Sequence, residues 1–343
     1  MTKMKIAING FGRIGRIFLR NILLHPNIEV VAINDLGDIK TLAHLFKYDS
    51  VHRGFKGEVN FDEQHLIINQ KKIRVFKETD PQQLPWQQLD IDLVIESTGK
   101  FVTQEKAALH LKAGAKQVII SAPSPDKNIP SVVLGINDDS IDLTAPIISN
   151  ASCTTNNVAA MVKVLDDNWG IQDGYITTVH SMTSDQNLHD APHKDLRRAR
   201  AAFSSIIPTS TGAAKAITSI FPHLEGRLGG AGIRVPVLNG SLTDFTCTLY
   251  HPATVAEINA AFLKASQSFL QNILEYTEDP IVSVDILDNP HSCIFDAELT
   301  SVVGSLVKVV GWYDNEMGYS SRLADLVQKI AVLKEASTQT VSA

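Results

Sequence analysis

Short apolar runs alternate with amphipathic stretches over the first 35 residues of the chain. Residues 5–10, KIAING, form a β-branched run that ends at glycine and predicts a buried strand. Apolar side chains then recur near helical spacing over residues 14–23, and Pro26 ends this stretch. Residues 29–35, EVVAIND, predict a second strand that finishes on Asp35. The pattern therefore predicts a strand, a glycine turn, a helix and a strand that ends in an acidic residue.

The alternation of strand and helix continues towards residue 150. Residues 91–99 and 115–123 predict apolar strands, and residues 104–115 predict the helix between them. Ligands of open parallel sheets bind beyond the carboxyl ends of the strands, so the residues that end these two strands are candidates for the wall of a cofactor site. They are small or carry a hydroxyl group: Ser97, Thr98, Gly99 and Ser121. Residues 55–76 predict hairpins inserted into this domain.

Three glycines, Gly10, Gly12 and Gly15, form the pattern G-x-G-x-x-G between the first predicted strand and helix. Asp35 follows the third glycine by twenty positions (35 − 15). In this context the pattern is typical of a dinucleotide-binding unit, in which the glycines permit a tight turn, close approach of a pyrophosphate and close packing of helix against strand. Asp35 would accept hydrogen bonds from the adenosine ribose and repel a 2′-phosphate, so NAD is favoured over NADP. The alternative is an ordinary βαβ unit whose glycines serve only packing.

Length and composition narrow the class of protein. The 343 residues predict about two domains, and the net charge of −6 argues against general binding to nucleic acid. No apolar run approaches the roughly 20 residues that span a bilayer, and the N-terminal run is too short for a signal peptide. The three cysteines are widely spaced and match neither a disulfide framework nor a zinc site. We expect a cytoplasmic protein without a bound metal.

One cysteine stands at a chemically favourable position. Cys153 lies in SNASCTTNN, residues 149–157, after a predicted strand at 145–150 and at the start of a helical pattern. A thiol at a helix N-terminus faces unpaired N–H groups that lower its pKa and can stabilise an oxyanion. His180 ends the next predicted strand, residues 174–181, and could serve as the base. The alternative is a small residue in a tight turn, and the two residues alone leave both interpretations open.

Several segments indicate a small phosphorylated substrate. Three arginines cluster in residues 193–200, namely Arg197, Arg198 and Arg200. Thr211 and Gly212 precede a predicted helix, whose N-terminus is suited to a phosphate group. Charge clusters are usually solvated surface, whereas Arg234 lies in an apolar strand where burial of its charge requires a partner.

Together these motifs resemble the phosphorylating, NAD-dependent glyceraldehyde-3-phosphate dehydrogenase family. The resemblance runs nearly end to end and includes INGFGRIGR, KYDSVH, ESTG, NASCTTN, TTVHSMT, HKDLRRARAA, IIPTSTGAAKA, IRVPV and WYDNEMGYS, in the family's order. It implies oxidation of glyceraldehyde 3-phosphate to 1,3-bisphosphoglycerate with reduction of NAD, a reaction of glycolysis and gluconeogenesis.

The resemblance also implies roles for individual residues. Cys153 would attack the aldehyde to give a hemithioacetal and then a thioester, with His180 polarising the thiol and acting as base. Thr183 and Arg234 would hold the phosphate of the substrate. The second anion site would be lined by Ser152, Thr154, Arg198, Thr211 and Gly212. The family's cofactor contacts correspond to Gly10, Arg13, Ile14, Asp35, Thr98 and Ser121, with Asn315 at the nicotinamide amide and Tyr319 nearby.

The implied fold is α/β, with a Rossmann-type parallel-sheet NAD-binding domain and an α+β catalytic domain. The first domain would take residues 1–151 and be completed by the C-terminal helix, residues 318–343. Residues 152–317 would form the catalytic domain around a mostly antiparallel sheet. The family is usually a homotetramer in which residues 181–203 lie near a neighbour's cofactor.

Residues 241–250 and 305–314 alternate as the strands of that second sheet should. Cys247 and Cys293 fall in strands of this kind and are expected to be packing residues.

The chain departs from the family pattern at two positions. Asn157 stands where many members have a second cysteine, which removes an oxidation partner for Cys153. Ala191 precedes proline where NAD-specific members commonly have leucine, which goes with a relaxed cofactor preference.

Two other functions stay open as alternatives. Erythrose-4-phosphate dehydrogenase shares the fold, the thiol and the cofactor, but it tends to lose the threonine–glycine phosphate site that residues 211–212 retain. A binding or regulatory protein on the same fold would not need Cys153, His180 and Arg234 together.

Overall fold

The structure is a computed structural model that describes residues 3–341, with the side chains of residues 3–336. The chain divides into two compact units. The first contains the chain up to Val132, Ser140–Ala151 and the chain from Ser320 onward. The second contains Val133–Asp139 and Ser152–Tyr319.

Eight α-helices lie in the described residues: α1 Arg13–Ile22, α2 Ile39–Lys47, α3 Trp86–Leu89, α4 Gln104–Lys112, α5 Cys153–Trp169, α6 Ala213–Ile220, α7 Val255–Ser266 and α8 Met317–Val341. None of these helices combines the length and the apolar character that crossing a bilayer requires. The same residues hold sixteen strands: β1 Met4–Asn9, β2 Ile28–Asn34, β3 Val59–Phe61, β4 His65–Ile68, β5 Lys71–Phe76, β6 Leu93–Glu96, β7 Gln117–Ile120, β8 Ile147–Ser149, β9 Ile171–Ser181, β10 Ile207–Thr209, β11 Leu228–Val235, β12 Ser241–Leu249, β13 Leu274–Thr277, β14 Cys293–Asp296, β15 Ser301–Val303 and β16 Leu306–Tyr313.

The first unit is built on an eight-stranded sheet in the order β3-β4-β5-β2-β1-β6-β7-β8. Strands β5, β2, β1, β6, β7 and β8 pair in parallel, in the order of a dinucleotide-binding fold, and β3, β4 and β5 pair antiparallel. In β1, Ile6, Ala7 and Ile8 have no solvent exposure, as expected for a central parallel strand. The predicted Rossmann-type sheet is confirmed.

Two of the predicted strands are shorter than the sequence pattern indicates. β6 and β7 have four residues each, whereas the apolar runs predicted nine. The chain leaves β6 because the hydroxyl group of Ser97 donates to the carbonyl oxygen of Gly10, at 2.6 Å. The predicted helix of residues 104–115 also ends early, because Gly114 has a φ of 102° that a helix cannot adopt. The residues predicted to line a cofactor site therefore lie in turns just beyond the strands.

The second unit contains a sheet in the order β10-β11-β9-β12-β16-β14-β13, with β15 also paired to β16. Its pairs are antiparallel except β9 with β11 and β13 with β14. The predicted, mostly antiparallel sheet is confirmed, with these two parallel pairs as an addition. Cys247 in β12 and Cys293 in β14 are buried, as expected for packing residues.

An aspartate on the loop before β6 anchors helix α8 within the first unit. One carboxylate oxygen of Asp92 lies 2.8 Å from Nζ of Lys334 and 3.1 Å from Nζ of Lys116, and the other accepts from the backbone N–H of Lys5 at 2.9 Å. Burial alone would raise the pKa of Asp92, but these hydrogen bonds outweigh it and hold the pKa below its ordinary value. The charge of Asp92 therefore stabilises the folded unit.

We expect Asp92→Asn to lower the free energy of unfolding at neutral pH by about 1–2 kcal/mol, because charge-assisted hydrogen bonds are lost. A depressed carboxyl pKa stabilises the fold above the ordinary value of about 3.9, and this contribution is lost as the pH falls through the folded pKa. Urea unfolding of both proteins over a pH series measures the difference, which should close below about pH 4. A difference independent of pH would contradict the role of the charge.

Candidate active site

The glycine turn of the first unit leaves an open space at its second glycine. Gly10 has a φ of 94°, in the left-handed region, and a Cβ there would lie 2.7 Å from the backbone nitrogen of Thr98. A Cβ at Gly15 would lie only 2.2 Å from the carbonyl oxygen of Gly10, so helix α1 can approach β1 this closely only with glycine. A Cβ at Gly12, the N-cap of α1, would meet no atom within 4 Å. This exposed helix N-terminus has the shape and the donors that a pyrophosphate requires.

Asp35 follows β2 directly and is oriented by two backbone donors. Its Oδ2 accepts from the N–H of Phe11 at 2.7 Å, and its Oδ1 accepts from the N–H of Gly37 at 2.8 Å. The carboxylate is thereby fixed beside the glycine turn, where it can accept hydrogen bonds from a ribose.

The other predicted cofactor residues of the first unit have different environments. The guanidinium group of Arg13 donates two hydrogen bonds to the carboxylate of Asp49, with Nη1–Oδ2 and Nη2–Oδ1 distances of 2.5 and 3.0 Å. Ile14 is half-buried on α1. Thr98, Gly99 and Ser121 follow β6 and β7, at the same carboxyl edge of the parallel sheet as Asp35.

Helix α5 of the second unit begins at Cys153. The hydroxyl oxygen of Ser152 caps the helix by accepting from the N–H of Thr155 at 3.0 Å. Ala151, before the cap, has a φ of 54°, an unusual value for an alanine that costs about 1–2 kcal/mol. Cys153 as a residue is half-buried, whereas Cys247 and Cys293 are buried. Cys153 is therefore the most exposed of the three cysteines.

His180, near the end of β9, lies beside Cys153 at the start of α5. Its Nε2 is 3.5 Å from Sγ of Cys153, and its Nδ1 is 2.7 Å from the carbonyl oxygen of Ser181. Nδ1 thus faces an acceptor, the Ser181 carbonyl, and also Nη1 of Arg234 at 2.6 Å, which can only donate. Of the two neutral tautomers, the one protonated on Nδ1 is the form that presents an Nε2 lone pair to the thiol. The parallel pairing of β9 with β11 places Arg234 directly opposite His180.

Arg234 brings a positive charge to the cluster formed by Cys153 and His180. Its Nη1 lies 2.6 Å from Nδ1 of His180 and donates to the carbonyl oxygen of Ser181 at 3.0 Å. It forms no ion pair with a carboxylate among residues 3–336. The predicted partner for the charge of Arg234 is thus absent from the described side chains, which leaves a half-buried cation beside the thiol as a receptor for an anion.

The pKa shifts of Cys153 and His180 show that the Cys153 thiol needs a base to become a nucleophile. Burial lowers the pKa of His180 to about 3, with a further contribution from the charge of Arg234, so the imidazole is neutral at physiological pH. Burial raises the pKa of the Cys153 thiol, and the opposing effects of Arg234 and of the N–H of Thr154 do not outweigh it. Backbone N–H groups at the start of α5 lower the pKa of this thiol, as the sequence predicts, but burial has the larger effect and the net shift is upward. A protonated thiol therefore faces a neutral imidazole.

Two further residues of the cluster connect α5 with β16. The hydroxyl groups of Thr154 and Tyr313 are 3.0 Å apart, and the Tyr313 ring lies edge-on to His180 with ring centroids 6.0 Å apart. Tyr313 was not predicted as a site residue. Tyr313 is the second residue of the motif WYDNE, but its contact with Thr154 depends on tertiary packing that alternation along β16 does not reveal.

The predicted second anion site lies on the loops around β10. Antiparallel pairing of β10 with β11 sets Ile207 opposite Arg234, and Thr211 and Gly212 follow β10 at the start of α6. The hydroxyl oxygen of Thr211 accepts from the N–H of Ala213 at 3.2 Å, and a Cβ at Gly212 would meet open space.

Arg198, also predicted for this site, forms hydrogen bonds with neighbouring side chains through its guanidinium group. It donates through Nη1 to Asp185 and through Nε to the hydroxyl group of Thr209 at 2.9 Å. Thr183 is half-buried, and its N–H donates to the side-chain oxygen of Gln186 at 3.3 Å. A bound anion would compete with Asp185 for the guanidinium group.

Asn315 and Tyr319 lie in the second unit. The side-chain oxygen of Asn315 accepts from the hydroxyl groups of Ser181 at 2.9 Å and Ser241 at 2.7 Å. These bonds fix the orientation of the amide. Tyr319 is buried.

Comparison with known proteins agrees with both units. Residues 4–104 match the family model described as "Glyceraldehyde 3-phosphate dehydrogenase, NAD binding domain", and residues 152–315 match "Glyceraldehyde 3-phosphate dehydrogenase, C-terminal domain". The chain is 53% identical over 331 residues to a glyceraldehyde-3-phosphate dehydrogenase of Mycobacterium avium, with 94% of this chain and 97% of the relative covered. It is 50% identical over 331 residues to glyceraldehyde-3-phosphate dehydrogenase 2 of Bacillus subtilis, with 96% and 97% covered.

The chain belongs to the glyceraldehyde-3-phosphate dehydrogenase family. Its two departures from the family pattern have distinct environments. Asn157 is buried one turn after Cys153 on α5, and its amide donates to the carbonyl oxygen of Trp312 at 3.3 Å. Ala191 is exposed, and its N–H donates to the carbonyl oxygen of Ala199 at 3.0 Å.

Replacement of Asp35 tests the cofactor assignment within this family fold. We expect Asp35→Ser to lower the ratio of kcat/KM for NAD over NADP at least tenfold, because a carboxylate within about 4 Å repels a 2′-phosphate by about 1–4 kcal/mol. Steady-state rates with each cofactor measure the ratio. Asp38→Ser is the matched control: it removes the same charge, and serine can cap α2 as Asp38 does. An unchanged ratio in Asp35→Ser would contradict the ribose assignment.

Proposed function

We propose that this chain catalyses the phosphorylating oxidation of glyceraldehyde 3-phosphate to 1,3-bisphosphoglycerate, with NAD as the oxidant. The observation that carries the proposal is the cluster of the Cys153 thiol, a neutral imidazole 3.5 Å away and an arginine without a carboxylate partner in the described residues. A thiol and a base can form and break a bond to an aldehyde carbon, and the arginine can bind an anionic substrate beside them.

The first step forms a hemithioacetal. Sγ of Cys153 attacks the aldehyde carbon while Nε2 of His180 takes the thiol proton, and the same proton then neutralises the aldehyde oxygen. A base is necessary because the raised pKa of the thiol keeps the nucleophile protonated in the resting protein. Arg234 and Thr183 are the proposed ligands of the substrate's phosphate group.

The second step oxidises the carbon. Bound NAD would supply the hydride acceptor, and the residues proposed to hold it are the glycine turn, Asp35, Thr98, Ser121, Asn315 and Tyr319. His180 removes the hydroxyl proton as the hydride leaves, so the carbon becomes the carbonyl group of a thioester on Cys153. The open space at Gly12 and the fixed carboxylate of Asp35 fit the pyrophosphate and the ribose.

The third step transfers the acyl group. An oxygen of inorganic phosphate attacks the thioester carbonyl, the C–S bond breaks, and the thiolate of Cys153 leaves. Arg198, Thr211 and Gly212, with Ser152 and Thr154 at the start of α5, are the proposed ligands of this phosphate. The thiolate takes back the proton that His180 removed in the second step, and the proton of the attacking hydrogen phosphate is released. The products are therefore the acyl phosphate, NADH and one proton, and the thiol is regenerated.

The oligomeric state and cellular location that we propose are those usual for the family. We expect a homotetramer that works in the cytoplasm, where thiols stay reduced, and the three cysteines of the chain are free. Exposed apolar side chains between residues 188 and 206 are consistent with an interface: Leu188, Leu196, Phe203 and Ile206.

The activity is tested by NADH formation, followed by absorbance at 340 nm. NAD is supplied with either glyceraldehyde 3-phosphate or erythrose 4-phosphate, each with and without inorganic phosphate. Rapid, phosphate-dependent reduction of NAD with glyceraldehyde 3-phosphate is expected. A higher kcat/KM for erythrose 4-phosphate would overturn the substrate assignment, and rates that do not depend on phosphate would overturn the third step.

A further inference from the structure

A buried carboxylate lies beneath the glycine turn of the first unit. Glu96, the last residue of β6, is 1% exposed, and no lysine or arginine pairs with it among residues 3–336. Burial of a charge without such a partner is costly unless hydrogen bonds satisfy the group. The packing of β6 does not need a carboxylate, since its other residues are apolar.

Four donors surround the two oxygens of Glu96. Oε1 accepts from the backbone N–H of Thr98 at 2.8 Å and from the Thr98 hydroxyl group. Oε2 accepts from the amide of Asn9 at 2.5 Å and faces Nε2 of His110 at 3.2 Å. A carboxylate is the side chain suited to this position, because it accepts on both oxygens and presents no donor of its own.

The tautomer of His110 is fixed from its far side. The indole N–H of Trp86 donates to Nδ1 of His110 at 3.0 Å, and an indole nitrogen can only donate. The proton of the neutral ring therefore lies on Nε2, where it is donated to Glu96. Trp86 and His110 have no solvent exposure, so the arrangement is held by the core.

The network connects the ends of three neighbouring strands. The side-chain oxygen of Asn9, at the end of β1, accepts from the amide of Asn34, at the end of β2, at 2.8 Å. Glu96 joins Asn9 to Thr98, which follows β6, and a Cβ on Gly10 would collide with the backbone of Thr98. Glu96 thus determines where the turn after β6 lies relative to the glycine turn.

From these contacts we infer that Glu96 is a positioning residue for NAD, acting through Thr98 and Asn9 and held in place by His110. The inference rests on the proposed function, in which the glycine turn and Thr98 bind NAD. Glu96 does not touch the cofactor or the reacting atoms in this role. Its contribution is the fixed distance between two turns that must contact the same ligand.

Glu96→Gln tests the inference, because one oxygen becomes an NH₂ group that faces donors on either side. The dissociation constant of NAD, measured by isothermal titration calorimetry with NAD alone, is expected to rise at least tenfold. At saturating NAD, kcat and the KM for the aldehyde should stay within about twofold, since Cys153 and His180 are unchanged. Val94→Ala is the matched control: it opens a cavity in the same strand and lowers stability, but NAD affinity should not change.

A second pair of variants keeps the test independent of whether Glu96→Gln folds. His110→Phe removes the donor to Glu96 and should weaken NAD binding, whereas His110→Gln supplies another N–H donor and should restore most of the affinity. Equal affinity in both variants and the wild type, or weakening by Val94→Ala as large as that by Glu96→Gln, would overturn the inference. Failure of the wild-type protein to bind NAD would instead overturn the proposed function.

Discussion

Replacement of Cys153 by serine is expected to lower kcat by roughly 10³–10⁴-fold or more while NAD still binds. A serine hydroxyl fits the same position at the start of α5 and can still hydrogen-bond to His180. It is a far weaker nucleophile than a thiol, and an ester formed on it would react more slowly with phosphate than a thioester does. Steady-state NADH formation gives kcat, and calorimetry gives the affinity for NAD.

Cys247→Ser is the matched control for this variant. Burial raises the pKa of the Cys247 thiol to about 12, so this residue is inert, and its replacement should affect stability rather than turnover. Wild-type turnover in Cys153→Ser, or an equal loss in Cys247→Ser, would exclude Cys153 as the nucleophile.

Replacement of His180 by asparagine is expected to lower kcat by about 10²–10⁴-fold, the usual contribution of a general base. The variant should also react more slowly with iodoacetamide near neutral pH, because no neutral imidazole accepts the proton of Cys153. Alkylation rates over a pH series measure this effect without substrate or cofactor. An alkylation profile identical to that of the wild type would remove His180 from its role.

We also expect His180→Asn to change how the free energy of unfolding depends on pH. Since burial lowers the pKa of His180 from 6.5 to about 3, the unfolded chain binds a proton at His180 that the folded chain does not. The stability from the neutral imidazole is therefore complete above about pH 6.5 and is lost as the pH falls towards 3. His180→Asn should lose less stability than the wild type over this range, as urea unfolding at several pH values would show.

Much of the fold was predictable because it depends on local pattern. The apolar runs fixed the central strands of the parallel sheet, and the glycine spacing identified the turn where a Cβ at Gly15 would collide with Gly10. Asp35 could be singled out because its separation from the glycines reflects the length of one βαβ unit. Strand ends were predicted poorly, since β6 ends where Ser97 bonds to Gly10, a contact between distant segments.

The parts of the site that were not predicted depend on tertiary register. The position of Arg234 opposite His180 follows from the parallel pairing of β9 with β11, which alternation along one strand does not reveal. Tyr313 reaches Thr154 only because β16 packs against α5. The direction of the Cys153 pKa shift could not be read from its place at a helix N-terminus either, because burial depends on the residues packed around the thiol.

The central claim is that Cys153 carries the oxidised substrate as a thioester, and it is tested most directly by a single turnover without phosphate. The protein is mixed with NAD and glyceraldehyde 3-phosphate, quenched in acid, digested and analysed by mass spectrometry, while NADH is measured by absorbance. About one NADH per active chain and an acyl group on the peptide containing Cys153, released when phosphate is added before the quench, are the expected results. NADH formation that leaves this peptide unmodified would contradict the claim.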